Sequence, residues 1–509
     1  MSAAALPILG RVRGVLIALA VVVLGAAAFA AAVVVYSGAS LASDPSALAR
    51  VRLQTFAGSV ASVRSSVPLE VQDGRLTPRR KVHPGQTVSI TVVVRRPGWS
   101  AWALGRERTE RLTVTAPAAH VVDRWPQGPR PRVRFDTEVA RVSLDGRAAP
   151  TEGRTVALPA KPAAGTTLVA AAARPWEELG TPVRVTWFPR AEQPVVLAEP
   201  KPGTELSPLD PLRLTFSRPV GDERPQLAPA VPGTWEVQDS HTLVFRPKGF
   251  GAAFDTTESL RFRHPVEVVG GRSWHVSGAS FLRLQQLLAQ EGYLPLAWSP
   301  REAEVPRTMA AELRAATGPP RGTFSWRYPN TPHELVSLWK TGEPNEIVRG
   351  AVMMFQHDHG LAVDAIAGPQ VWHALIADAV RGKHRDDGYS YVYVHRAVPQ
   401  LLTLWHNGHV VLTSPGNTGV PAAPTQLGTW PVFEHIPIGR MSGTNPDGSH
   451  YDDPGIRWIS YFHGGEALHA FNRASFGTPQ SVGCVVLPVD AAAKVWRYTP
   501  IGTLVTIEN

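Results

Sequence analysis

Between Arg13 and Asp44 the chain carries no charged residue, and Gly14 to Tyr36 is almost wholly Val, Leu, Ala and Ile. A run of about 20 apolar residues, each rising about 1.5 Å, has the length of a membrane-spanning helix. No polar face interrupts it, as one would on a helix packed at the surface of a soluble domain. Beyond it the pattern turns to period two. Val88, Ile90, Val92 and Val94 alternate with residues such as Ser89 and Thr91, as a half-buried strand requires. Shorter runs of the same kind are Val133 to Phe135, Val183 to Trp187, Leu212 to Phe216 and Thr242 to Phe245. Pro-Gly, Asp-Gly and Gly-Arg turns separate them, which predicts tandem β-sandwich modules through about residue 275.

Near residue 280 the period lengthens. Phe281, Leu284 and Leu288 share a helical face, and Gly292 fits as its C-terminal cap. A Pro-rich stretch, Pro300 to Pro344, reads as a loop. Ile347, Val348, Ala351, Val352 and Phe355 then form a second apolar stripe, and Gly368-Pro369 opens a last helix, with Pro where its missing N–H costs nothing. Alternation returns in Ser390 to Val394, Leu401 to Leu404 and Val410 to Leu412. Asn407-Gly408 between the latter two predicts a tight hairpin. Gly428 to Val432, Trp458 to Phe462 and Gly502 to Ile507 complete the β pattern.

Composition sharpens this picture in three ways. A length of 509 residues implies three to five domains, and 47 prolines with 44 glycines favour turns and sandwiches over helical bundles. Arg11 and Arg13 precede the apolar run, so residues 1–13 are expected as a cytoplasmic tail, 14–36 as a transmembrane anchor, and the rest as exported. A cleaved signal peptide, with Ser40-Leu41-Ala42 as its processing site, is the competing expectation. The net charge of +9 favours polyanionic partners. For an exported chain these are wall polymers or lipid headgroups rather than nucleic acid.

Export also changes the meaning of the single cysteine, Cys484. Disulfides persist outside the cytoplasm, and one cysteine cannot close an internal bridge, so Cys484 is a candidate reactive thiol. The alternative is a small buried apolar residue. His357-Asp358-His359 suggests a metal site, but no partner carboxylate stands at ligand spacing. A solvated helix end is expected there, with no metal and no cofactor anywhere in the chain.

Three resemblances follow. Pro211-Leu-Arg-Leu-Thr-Phe-Ser-Arg-Pro219, Gly233-Thr-Trp235 and Leu243-Val-Phe-Arg-Pro247 resemble bacterial immunoglobulin-like spacer domains, with a weak sibling at Pro131 to Phe135. Ig-like β structure is therefore expected over 45–190 and 191–277, serving to hold the C-terminal part away from the membrane. Phe355-Gln-His-Asp-His-Gly-Leu361, Asp364, Gly368-Pro369 and Trp372 to Leu375 resemble a helical peptidoglycan-binding domain, expected at 278–382 and N-terminal to the catalytic part. Ala365 departs from that family, which often has Gly there.

Ala467-Leu468-His469, then Ser481-Val482-Gly483-Cys484-Val485-Val486-Leu487-Pro488 and the closing Gly502 to Val505, resemble the L,D-transpeptidase catalytic domain over 388–509. The resemblance implies a cysteine-dependent acyltransferase acting on peptidoglycan stem peptides in the cell envelope. Cys484 would be the nucleophile, with His469 as its base. Its other ring nitrogen would be steered by a carbonyl at Ala470, and Gly483 would support an oxyanion through the backbone. Ser481 is expected as a loop residue and His463 as a rival base. Trp430, Tyr451, Trp458 and Tyr461 are candidate groove aromatics. The family's histidine inside the cysteine motif is Val482 here, and its Arg or Asn after the cysteine is Val486. Two other classes compete: a non-catalytic wall-binding scaffold that keeps the fold, and a zinc peptidase of the wall. The whole reads as a mainly β multidomain chain with one small helical module.

Overall fold

A computed structural model describes residues 8–159 and 161–509, with side chains from residue 14 onward. The cytoplasmic tail expected at 1–13 lies outside the described residues through residue 7. Arg11 and Arg13 lie outside the described side chains. The chain divides into two compact units, residues 1–197 with 215–218, and residues 198–214 with 219–509.

In the first unit the apolar run forms the helix Ile8–Val35. Its stretch Gly14–Val35 is long and apolar enough to cross a membrane, and it is almost entirely exposed. The strand Ala39–Ala42 follows at once and pairs antiparallel with Ala49–Leu53. The strand Thr87–Arg95 buries Val88, Ile90, Val92 and Val94 on one face, as their spacing predicts. Residues 45–190 hold two separate apolar cores. One is built on that strand and the other on Val133, Phe135, Val169, Val185 and Trp187.

In the second unit, Gly233–Asp239 and Thr242–Pro247 pair as a hairpin. A four-stranded sheet joins Glu205–Leu206, Ser273–Val276, Thr257–Arg261 and Gln226–Ala228. The helix Phe281–Gln290 ends just before Gly292, whose φ of +86° turns the chain away. The Asn345 side chain accepts a hydrogen bond from the Val348 N–H and so caps the helix Glu346–Asp358. Pro369 opens the helix Pro369–Arg381, and Gly382 closes it in the left-handed region.

Two local expectations fail here. The stretch Pro300 to Pro344 is not a loop: it contains the helix Met309–Thr317, the strand Gly322–Trp326 and the short helix His333–Ser337. Its prolines fall between these elements, and the strand is held by pairing with Leu296–Pro300, a partner out of sight of any local pattern. His359 is also not a solvated helix end. It stacks on Phe355, and its Nε2 lies 2.7 Å from the Asp378 carboxylate.

Ala365 has a φ of +64°, the conformation for which glycine is the usual choice. Gln356, buried beneath, holds this turn. Its Oε1 accepts from the Asp364 and Ala365 N–H groups, and its Nε2 donates to Asp364 Oδ1 and the Ile366 carbonyl.

The last part contains two sheets. The five-stranded sheet has the order His409–Pro415, Leu401–His406, Ser390–His395, Leu504–Glu508, Gly428–Pro431. Asn407 and Gly408 both have positive φ, as a type I′ hairpin requires. The four-stranded sheet has the order Glu434–Thr444, His450–His463, Glu466–Ala470, Val485–Leu487. The helical module does not stand apart from these sheets. Its core, with Leu288, Phe355 and Leu375, continues into Tyr391, Trp405 and Leu504 of the five-stranded sheet. At the seam a Cβ on Gly350 would lie 2.4 Å from the Gly502 carbonyl oxygen, so the helix backbone lies directly on the turn before the last strand.

Candidate active site

Strand alternation decides which side chains meet. Glu466–Ala470 runs parallel to Val485–Leu487, with Leu468 opposite Val485 and His469 opposite Val486. Leu468, Ala470, Val485 and Leu487 all enter one apolar core. Their alternates, Ala467, His469, Cys484 and Val486, therefore face the other side. There Ala467 and Cys484 join Met441, Ile456 and Ile459 in a second small cluster. Cys484 precedes Val485, so it stands across from Ala467 and diagonal to His469, within reach of long side chains. Both Cys484 and His469 line one open groove of about 680 Å³.

His469 Nδ1 lies 3.0 Å from the Ala470 carbonyl oxygen. A carbonyl can only accept, so Nδ1 carries the proton and Nε2 is left as the basic nitrogen. Burial holds the imidazole below its ordinary pKa, partly countered by that hydrogen bond. The ring is thus neutral near pH 7 and able to take a proton.

The half-buried Cys484 thiol donates to the Gly465 carbonyl at 3.7 Å. Burial pushes its pKa up to about 11, the Ala467 amide draws it down, and the Glu466 carboxylate raises it further. The resting group is a thiol, so attack on a carbonyl needs a base at the moment of reaction.

The loop before the cysteine is clamped from below. Asn417, fully buried, accepts from the Gly477 and Thr478 N–H groups and donates to the Ser475 carbonyl. Its backbone exchanges two hydrogen bonds with Val486. Gln400 binds Thr418 through both ends of its amide, and Thr418 in turn accepts from the Gln480 and Ser481 N–H groups. The Ser481 hydroxyl donates to the Cys484 carbonyl and closes the turn. Gly483 has a φ of +110°, and a Cβ there would come 3.2 Å from Glu466 Oε1. The positive φ favours glycine at this position, and a side chain there would also crowd Glu466.

His463 goes elsewhere. Its Nδ1 lies 3.2 Å from Glu466 Oε2 and its ring packs on Trp430 at 4.3 Å, away from the groove lining. Of the four candidate aromatics, Tyr451 and Tyr461 line the groove, while Trp430 and Trp458 pack against the core. Val482 and Val486 both line it as well, Val486 being buried between His469 and Asn417. Three charged groove residues escaped the sequence reading, Arg440, Arg473 and Asp453. Arg440 pairs with Asp452, whereas the other two act on the His469 ring, Arg473 lowering its pKa and Asp453 raising it. Asn417, Gln400 and Thr418 escaped too, because an Asn or Thr in a Gly-Pro-rich stretch looks like any other loop residue.

Among the described residues no group of three His, Cys, Asp or Glu side chains could hold a metal ion. The groove offers a thiol, a neutral imidazole, two arginines and one carboxylate, a set suited to acyl transfer between a carbonyl donor and an amine.

Residues 389–507 match the family described as the L,D-transpeptidase catalytic domain. Residues 340–375 match the putative peptidoglycan binding domain. That second match lies in the latter half of the chain, directly before the catalytic segment and not at the N-terminus; it is also narrower than 278–382. No curated protein sequence matches the chain. Solved structures similar to it include an L,D-transpeptidase from Mycobacterium smegmatis, with 14% identity over 61% of this chain and 97% of that one. L,D-transpeptidase 3 from Mycobacterium tuberculosis shares 11% identity over 61% and 97%. The catalytic domain of the E. faecium L,D-transpeptidase shares 23% over 24% and 98%. The TM-score is 0.22 for each.

Proposed function

We propose that this protein is a membrane-anchored L,D-transpeptidase that joins peptidoglycan stem peptides through a thioester on Cys484. The observation that carries the proposal is the placement of Cys484 and His469 on one sheet face at one groove, inside the segment that matches the catalytic family. In this reading Cys484 Sγ attacks a carbonyl of the donor stem while its proton passes to His469 Nε2. The carbon–nitrogen bond to the terminal D-amino acid then breaks, and His469 returns the proton to the departing amine. A side-chain amine of a second stem attacks the thioester, loses a proton to His469 and frees the thiol. No ATP is consumed, which suits a reaction outside the cytoplasm. Arg473 offers a charge partner for the donor's carboxylate and Asp453 one for the acceptor's ammonium. The side chains of Val482 and Val486 contribute no hydrogen bonds, so oxyanion support rests on the backbone around Gly483 and Cys484.

The anchor is read as uncleaved because processing after Ala42 would remove the strand Ala39–Ala42 from its sheet and Ala39 from its core. The β-rich segments at 45–190 and 191–277 are read as Ig-like spacers. The module at 278–382 is read as the wall-binding part.

Intact mass of the purified protein after exposure to a carbapenem tests the assignment. A single adduct is expected, and Cys484→Ala removes it. No adduct, or one that survives that substitution, favours the non-catalytic scaffold.

A further inference from the structure

The first unit carries an aromatic surface that the proposed function does not use. The seven-residue helix Gly98–Leu104 buries Ser100 on one side and presents Trp99 and Trp102 on the other. Trp102 is 84% exposed and Trp99 is 53% exposed. Side chains of this size left in water on one short helix call for a partner.

The structure ties this helix to the membrane-length helix Ile8–Val35. Phe29 of that helix lies 5.7 Å from Phe56 and 6.4 Å from Trp99, and Phe56 lies 6.3 Å from Trp99. The joint is stiff. The Arg108 guanidinium donates to the Val34 and Val35 carbonyls and to the Ser37 hydroxyl, covering acceptors that a helix end leaves open. The Phe56 N–H donates to the Tyr36 carbonyl, the Gln54 N–H to the Gly38 carbonyl, and the Gly38 N–H to Gln54 Oε1. No flexible linker separates the apolar helix from the first β core.

Depth then follows from helix geometry. Phe29 stands six residues before Val35, about 9 Å along an axis that rises about 1.5 Å per residue. Interfacial helices bury their apolar face about 5–10 Å into the boundary between headgroups and acyl chains. Rings in contact with Phe29 reach that boundary whenever Gly14–Val35 is in a bilayer. Tryptophan is also the side chain best suited to it, with an apolar body and one N–H donor. Arg95 and Arg106, both exposed, flank the helix and suit anionic headgroups.

We infer that the helix Gly98–Leu104 is an interfacial foot that seats Trp99 and Trp102 in the outer leaflet of the membrane, holding the first β core down on the bilayer. The inference rests on the anchor reading of Gly14–Val35. The partner is the lipid surface, because the patch is continuous with the exposed apolar helix.

The test uses the full chain in vesicles of phosphatidylcholine and phosphatidylglycerol with brominated acyl chains, which quench nearby tryptophan. The first of the chain's 15 tryptophans is Trp99, so the spanning helix contributes no signal. We expect a partial loss of emission, on the scale of two tryptophans among 15, that disappears in the Trp99→Ser, Trp102→Ser double variant. An unchanged melting profile for that variant confirms that folding is intact. A chain that resists carbonate extraction yet shows no variant-dependent quenching overturns the foot and leaves the anchor standing. A chain that washes off the vesicles overturns both. Absence of lipid quenching together with self-association that the double variant abolishes would make the occupant a second copy, again overturning the inference.

Discussion

His469 and Cys484 are set apart by their protons. The imidazole sits below its ordinary pKa because it is buried, and the thiol sits at about 11 for the same reason. Burial disfavours the charged form of each, so the same desolvation moves a base down and an acid up. The competent resting state is neutral thiol with neutral imidazole, and it exists above the lowered imidazole pKa and below that of the thiol. Acylation by a carbapenem should therefore be flat from about pH 7 to 9 and fall only below about pH 6.5, as His469 gains a proton. Alkylation of Cys484 by iodoacetamide, which needs the thiolate itself, should instead rise about tenfold per pH unit over the same range. Parallel curves for the two reagents would show a preformed thiolate–imidazolium pair and remove the general-base reading. At this scale the sequence was legible where a motif carries residue types at a spacing: His469, Gly483 and Cys484 all lie in the groove or shape it. The four candidate aromatics divided two and two, because aromatic residues on β-strands serve either face and only the fold assigns the face.

At the scale of elements, the local codes worked where each element carries its own signal. The period-two strand Thr87–Arg95, the Asn407-Gly408 hairpin, and the Gly368-Pro369 helix start all formed as patterned. The stretch 300–344 failed because its strand is held by a partner and its helices are short. The helix Glu346–Asp358 carries a constraint that its amphipathic stripe conceals. Gly350 lies backbone to backbone against Gly502, and a methyl group there would meet the Gly502 carbonyl at 2.4 Å. Gly350→Ala should gain helix propensity of about 1 kcal/mol. It should lose about 1–3 kcal/mol from overpacking and so lower the melting temperature of the protein. Calorimetry would check this. A rise in melting temperature would show that the seam between the helical module and the last strand is loose.

Across the whole molecule, the matched segments at 340–375 and 389–507 share one continuous apolar core with each other. At the other end, the membrane-length helix runs into the first β core without a spacer. Ser37 and Ala39 are both buried, and the strand Ala39–Ala42 completes a sheet. A truncated chain that starts at residue 37 should therefore be more stable to urea than one that starts at residue 43. The difference should be about 2 kcal/mol or more, since four ladder pairs and the Ala39 packing are lost. Equal midpoints would instead suit a chain that is processed after Ala42.

What the sequence determined by itself was whatever is encoded within a few residues or in a motif: the apolar run, the switch from period two to period 3.6 and back, the tight turns, and a cysteine with a histidine fifteen residues before it. These are local because backbone geometry and side-chain alternation repeat over one element. The tertiary structure alone decided which face of each strand borders the groove, that Asn417 clamps the loop at 475–484, that Arg473 and Asp453 flank the imidazole, and that Phe29 meets Trp99. Each of these joins residues distant in the chain, and their meeting depends on strand register and helix packing, which no local pattern records.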